Sequence, residues 1–238
     1  MNIELLYRPA FSLGIIHLDG NEEVRVEAAS MVSMSHGVVL ETSATGGLLR
    51  SLSRSVLGGE TFFQNTYKAP AGGGRVGVAP ALTGDLIVLD MQNETLMVQS
   101  GSFLASAMGI KVDTAWGGAK TFFSSEGLIM LRATGTGPLL LSSYGAIHEM
   151  NLAAGETVTL DTGHLVAFTQ GIGFQVRKVG GMKSLLFSGE GLVVDLTGPG
   201  RVLAQTRSTD QFLSWLIPKL PRDTSSGGEG GFSIRLGG

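Results

Sequence analysis

One motif occurs three times along this chain, and the repetition narrows the folds open to it more than any other feature. A double glycine leads to a Gly/Ser-Glu step as Gly46-Gly47 to Gly59-Glu60, Gly117-Gly118 to Ser125-Glu126 and Gly180-Gly181 to Gly189-Glu190. A second block precedes each double glycine: NEEVRVEAASMVSM, NETLMVQSGSFLAS and GETVTLDTGHLVAF. The second and third copies align almost without gaps from their double glycines onward. A unit this small cannot bury a good core alone and must pack on its copies. The repetition therefore predicts one body built from a single β unit used three times, over about 11–80, 84–144 and 145–207. We assign one domain to 1–221 and a flexible Gly-rich tail to 222–238.

The apolar pattern is that of strands. Val24/Val26, Leu96/Val98 and Val158/Leu160 stand two residues apart at matching places of the three copies, which puts an apolar face on each strand. Unbroken runs, Leu86-Ile87-Val88-Leu89 and Leu139-Leu140-Leu141, predict strands covered on both faces. Turn signals fall at Asp19-Gly20-Asn21, Gln92-Asn93, Gly135-Thr136-Gly137-Pro138, Ala154-Gly155 and Gly198-Pro199-Gly200. Many short strands between Gly-rich turns predict an all-β sandwich or barrel-like body. The 36 glycines suit such a body, since glycine serves tight turns and bulges.

Two segments break the threefold pattern. The second glycine lies 13 residues before the Glu in the first copy (47 to 60), 8 in the second (118 to 126) and 9 in the third (181 to 190). The first copy thus carries an insertion of four or five residues. Within it Leu48, Leu49, Leu52 and Val56 fall at helical spacing, with Arg50, Ser53 and Arg54 opposite. The second break is the C-terminal region. Ser208, Thr209 or Asp210 can cap a short helix over 210–217, docked by Phe212, Leu213, Trp215, Leu216 and Ile217 and stopped by Pro218 and Pro221. The Gly/Ser tail then ends on an alternating pentapeptide in which Phe232, Ile234 and Leu236 stand two apart. An extended strand there would present three apolar side chains to one face, on its own chain or a neighbour.

Composition removes several kinds of chemistry. There is no cysteine, so disulfides, thiolate catalysis and Cys-held zinc or iron–sulfur clusters are excluded. A net charge of −3 gives no global attraction to nucleic acid. The densest basic stretch, Arg177-Lys178 to Lys183, meets Asp113 and Lys120 in the second copy, so its charge does not repeat. The first ten residues lack a signal-peptide pattern, and the apolar runs are far shorter than a membrane span; a soluble cytoplasmic protein is expected. His17, His36, His148 and His164 are scattered, and His164 aligns with Ser102 and Ser30, so no threefold ligand ring forms. There is no Gly-x-Ser-x-Gly elbow, and the runs Gly72-Gly73-Gly74 and Gly227-Gly228 do not precede a Lys-Ser/Thr pair, so phosphate cradling is unsupported. No catalytic, cofactor-binding or metal-binding residue is assigned, and no cofactor is expected.

Three sets of residues remain as candidates. Glu60, Glu126 and Glu190 recur with the repeat, and a carboxylate there can accept backbone N–H bonds in the adjoining turn, so we read them as turn anchors. A central polar cluster holding a cation or ligand is the other reading. Leu48, Leu49, Arg50, Leu52, Arg54 and Val56 form a surface that either covers an open end of the β body or lies weakly on an anionic membrane. Phe232, Ile234 and Leu236 are either a tethered contact or an inert end.

Gly59-Glu60-Thr61-Phe62-Phe63-Gln64-Asn65-Thr66, Val78-Ala79-Pro80, Gly84-Asp85, Ser142-Ser143-Tyr144-Gly145, Asp161 through Phe168 and Val179 through Ser184 together resemble the bacterial, archaeal and mitochondrial family named for altered inheritance of mitochondria. The resemblance runs from about Phe11 to Pro218. It implies a β fold like that of the tryptophan RNA-binding attenuation protein, a sandwich or short double-stranded β-helix body with its repeats in one chain. It implies no established enzymatic activity and no catalytic set to carry over; mitochondrial members are linked to inner-membrane organisation. The leading expectation is a non-enzymatic β scaffold or protein-interaction module that assembles with itself or with a protein partner, because exposed strand edges of a three-unit body invite such pairing. A cupin-like small-ligand or metal-binding enzyme and a peripheral membrane-binding organiser stand as alternatives, and nucleic acid is not an expected partner.

Overall fold

Alternating apolar residues build much of this protein from strands that bury one side. In the computed structural model, which describes residues 1–41, 64–114, 129–178 and 192–221, Val24, Val26, Leu96 and Val98 are all buried. The strands are β1 (Asn2–Leu6), β2 (Leu13–Leu18), β3 (Glu23–Glu27), β4 (Met31–Met34), β5 (Val39–Glu41), β6 (Gln64–Lys68), β7 (Gly74–Val78), β8 (Leu86–Gln99), β9 (Phe103–Ala107), β10 (Ile110–Thr114), β11 (Met130–Ser142), β12 (Ile147–Leu152), β13 (Thr157–Asp161), β14 (Leu165–Thr169), β15 (Gly173–Lys178), β16 (Leu192–Thr197) and β17 (Gly200–Gln205). Among the described residues a helix, α1 (Thr209–Leu216), follows them. The protein is all-β with a short C-terminal helix.

The aligned sequence blocks occupy corresponding strands. Each gives a strand, a tight turn and a second strand: β3 to β4, the C-terminal half of β8 to β9, and β13 to β14. In the first copy the Ser30 N–H bonds to the Glu27 carbonyl at 3.3 Å; in the others the turn is a 3-10 turn, Ser100–Ser102 and Thr162–His164. The later strands pair alike. β2 pairs with β7, the first half of β8 with the second half of β11, and β12 with β17, all antiparallel. β4, β9 and β14 add to β7, β11 and β17, each with a register shift.

Two of the expected turns are not turns. Gln92-Asn93 and Gly135-Thr136-Gly137-Pro138 lie inside β8 and β11, which stay paired from Met130↔Gln99 to Ser142↔Leu86 with a bulge between Gly135 and Thr136. Asn93 has φ 53°, and Gly135 and Gly137 have φ 139° and 125°. These left-handed residues bend both strands without breaking the ladder. The outer units break at the equivalent places, between β2 and β3, β6 and β7, β12 and β13, and β16 and β17.

The ten-stranded sheet, in the order β12-β17-β14-β8-β11-β9-β3-β6-β5 with β10 beside β11, links all three units. Two smaller sheets, β1-β2-β7-β4 and β13-β16-β15, belong to the first and third units alone. The core divides in the same way. Ile16, Val24, Val26 and Val78 of the first unit pack with Leu86, Leu104 and Leu140 of the second. Phe103, Leu131 and Leu141 of the second pack with Val166 and Leu203 of the third. Met130 joins Leu165, Phe168, Val194 and Leu196. Neighbouring units therefore complete one another's cores. The run Leu139-Leu140-Leu141 is fully buried, as a strand covered on both faces requires.

Candidate functional site

The C-terminal half of β11 pairs with β9, and β3 then pairs with the other side of β9, so strands of neighbouring units form the junctions. β3 of the first unit pairs antiparallel with β9 of the second, through Val24↔Ala107, Arg25↔Ser106 and Val26↔Ala105. β8 of the second pairs with β14 of the third, through Leu96↔Thr169, Met97↔Phe168 and Val98↔Ala167. By the sequence alignment these are the same three positions in both junctions. β13 of the third unit and β4 of the first are the strands left over. Each stands at the end of its sheet, without a partner on its outer side among the described residues.

The open side changes what these strands expose. Phe103 and Leu104 of β9 are 0% exposed, and Leu165 and Val166 of β14 are 1% and 0%. Their counterparts in β4, Met31 and Val32, are 38% and 59% exposed, and Met34 is 46% exposed. The β4 sequence Met31-Val32-Ser33-Met34 holds no charge and no proline, the residues that usually guard a free edge. Val158 and Leu160 of β13 are half-buried, whereas their counterparts Val24, Val26, Leu96 and Val98 are buried.

A cleft of about 410 Å³ opens where corners of the three units meet beneath α1, with Glu27, Gln99, Ser102, Gln205, Ser208 and Leu213 among its walls. Glu27, Gln99 and Asp161 hold the same place in the three repeats. Burial pushes the Glu27 carboxyl above its ordinary pKa, and the Ser30 hydroxyl, which donates to it at 2.9 Å, works against that rise. Asp161 accepts the Gly163 N–H at 2.8 Å. Gln205 is fixed from both ends: its Nε2 donates to the Gly163 carbonyl and its Oε1 accepts from the Tyr144 N–H, both at 2.8 Å. His164 Nδ1 donates to the Gln205 carbonyl at 2.7 Å, so this histidine braces the cleft wall. No group of three or more His, Asp or Glu suited to a metal is formed among the described residues.

Helix α1 closes one side of the cleft with little burial of its own. Phe212 meets Tyr144 edge-on at 6.2 Å, Trp215 stacks on Phe212 at 6.3 Å, and the Lys219 ammonium lies 5.0 Å from the Trp215 ring. The expected docking set was larger. Phe212 and Leu216 are half-buried, but Leu213, Trp215 and Ile217 are 41%, 58% and 51% exposed. A helix of two turns resting on one aromatic contact cannot cover five apolar side chains. Ser208 stands at the cap, yet its hydroxyl makes no capping bond.

Glu60, Glu126 and Glu190, the surface Leu48, Leu49, Arg50, Leu52, Arg54 and Val56, and the tail Phe232, Ile234 and Leu236 all lie outside the described residues. Exposed strand edges are expected of a three-unit body, but the sequence did not single out β4 and β13 as those edges. The signal was nonetheless there, because a row of three units joined side by side leaves one free strand at each end unless the row closes.

A family model described as mitochondrial biogenesis AIM24 matches residues 3–207. An uncharacterized protein of Streptococcus pyogenes serotype M6 is 28% identical over 223 residues, covering 90% of this chain and 89% of its own length. The crystal structure of a Streptococcus pyogenes protein superposes with a TM-score of 0.78 at 26% identity, covering 92% of this chain and 99% of that one.

Proposed function

We propose that this chain, which belongs to the mitochondrial biogenesis AIM24 family, is a non-enzymatic β scaffold that works through protein–protein contact. The observation that carries the reading is β4. Its apolar residues stand exposed at a free sheet edge, while the equivalent residues of β9 and β14 lie in the interior. A free edge offers a row of backbone N–H and C=O groups to an incoming strand, and its exposed side chains select the partner. Affinity purification of the full chain and of Val32→Lys from the native cell tests the reading. Loss of captured protein in the variant is expected; an unchanged set of captured proteins overturns the role of this edge.

Helix α1 favours a second reading, peripheral membrane contact. It and the 3-10 turn after it (Ile217–Lys219) display Trp215 and Ile217 beside Lys219, an arrangement suited to a lipid interface. None of the helices among the described residues is long and apolar enough to cross a membrane. Co-sedimentation with anionic vesicles, weakened by Trp215→Ala, is the outcome this reading requires.

A further inference from the structure

We propose that β13 of one copy pairs with β4 of a second copy, antiparallel, in the register that joins the units inside the chain. The proposal rests on the scaffold reading above and names the occupant of its open edge.

The register follows from the two junctions already formed. The first aligns Val24↔Ala107, Arg25↔Ser106 and Val26↔Ala105. The second aligns Leu96↔Thr169, Met97↔Phe168 and Val98↔Ala167. Val24, Leu96 and Val158 are one position of the repeat, and Ala107, Thr169 and Ser35 are another. Carrying the same positions forward gives Val158↔Ser35, Thr159↔Met34 and Leu160↔Ser33. A fourth unit after the third would contribute a strand of the β4 type at this place. A second copy of the chain supplies that strand with its first unit.

The two edges also match as surfaces. β4 brings exposed Met31, Val32 and Met34, and β13 brings half-buried Val158 and Leu160. In each internal junction the counterpart of Val32 is buried in one core with the counterparts of Val158 and Leu160: Leu104 with Val24 and Val26, and Val166 with Leu96 and Val98. Within one chain β4 and β13 end two separate sheets, so among the described residues each edge is free for a neighbour. The contact joins unlike surfaces, head to tail, and propagates into a ring or a filament rather than a twofold dimer.

The chain has no cysteine, which makes directed cross-linking clean. Facing residues of antiparallel neighbours lie about 4.5–5.5 Å apart at Cα, within the reach of a disulfide. Met34→Cys and Thr159→Cys are made in separate chains and oxidised together. A cross-linked pair of chains is expected from this mixture, well above the yield from Met34→Cys mixed with Gln175→Cys, a residue exposed on another strand. The unmodified full chain is expected to show a mass above that of one chain by light scattering, falling toward one chain in Val32→Lys. Equal yields from the two mixtures overturn the proposal. So does a chain carrying both Met34→Cys and Thr159→Cys that closes only on itself, which places the pairing within one molecule. A full chain that stays at the mass of one copy at every concentration, yet still captures cellular protein through β4, overturns self-pairing and leaves the scaffold reading standing.

Discussion

Arg8 and Asp85 are joined by two hydrogen bonds, Nε to Oδ1 at 2.6 Å and Nη2 to Oδ2 at 2.9 Å, across 77 positions of the chain. Asp85 Oδ1 also accepts the Leu86 N–H at 2.8 Å and stands 3.4 Å from the Ser12 hydroxyl. The carboxylate opens β8, the first strand of the second unit, while Arg8 and Ser12 flank the entry to the first. Beside them the Ser12 and Asp85 N–H groups bond to the Gly84 and Gly145 carbonyls at 3.3 and 2.9 Å. One charged pair thus ties the entries of two units together.

Arg8→Met is expected to destabilise the protein by about 1.5–3 kcal/mol, the range for a hydrogen bond to a charged group. The lower end is favoured because the Arg8 side chain is 47% exposed and water can replace part of it. The pH dependence separates this pair from simple packing. Burial alone would raise Asp85, but Arg8, the Leu86 N–H and Ser12 hold its pKa below the ordinary value. A lowered folded pKa gives stability that is present above the unfolded value, about 3.9, and is lost as pH falls through the folded one. In the variant the guanidinium is gone while the Leu86 N–H and Ser12 bonds remain, so less stability is left to lose as acid is added. Urea midpoints measured from neutral pH into the acid range should converge for the two proteins; a gap independent of pH would remove the ion pair from the account.

Glu27 carries the opposite sign. Its folded pKa is raised, chiefly by burial, so its contribution is fully present below the unfolded value of about 4.3 and declines as pH rises through the folded one. Glu27→Gln keeps the shape and removes the charge. The variant is expected to match the parent in acid and to exceed its urea midpoint at neutral pH. A lower midpoint at neutral pH would mean that the carboxylate is needed ionised in the cleft.

Gly84 bridges both neighbours, to Phe11 and to Gly145. A Cβ there would run into the Ser143 carbonyl oxygen, and close approach of backbones is a position only glycine fills. Gly84→Ala should cost about 1–3 kcal/mol or more through overpacking. Gly72 is the control, since a Cβ there meets nothing within 4 Å. Gly72→Ala should be neutral or stabilise by about 0.4–1 kcal/mol by restricting the unfolded chain. Equal midpoints for the two variants would refute the bridging role.

These residues show what the sequence could and could not disclose. The alternation at Val24/Val26 and Leu96/Val98 made the strands legible, because burial of one face imposes a period of two. The same alternation at Val158/Leu160 overstated burial, since a strand without a neighbour on its outer side leaves its apolar face half open. Asn93 and Gly135 read as turns because left-handed backbone usually ends a strand; only the continued pairing of β8 with β11 shows them as bends. The Gly84-Asp85 motif was visible, but its partner Arg8 was not, because nothing local links residues so distant in sequence. The free edges of β4 and β13 depend on whether a row of units closes, which no single repeat records.

The C-terminal helix supplies the last prediction. The sequence pattern puts it over 210–217 and the structure has it at Thr209–Leu216, within a residue, although the Ser208 hydroxyl makes no capping bond. Its attachment is slight. Phe212 against Tyr144 is an edge-on ring contact, worth about 0.5–1.5 kcal/mol beyond area, and most other apolar residues of the helix face outward. Such an element opens at lower free energy than the sheets beneath it. Phe212→Ala should therefore release α1 while the β body holds. The chain has two tryptophans, so Trp116→Phe leaves Trp215 as the sole reporter. In that background Phe212→Ala is expected to shift Trp215 emission to longer wavelength, lower the helical circular dichroism and speed amide exchange across Thr209–Leu216, with the urea midpoint of the body almost unchanged. If the midpoint of the body falls together with the helix signal, α1 is part of the cooperative core and not a hinged cover over the cleft.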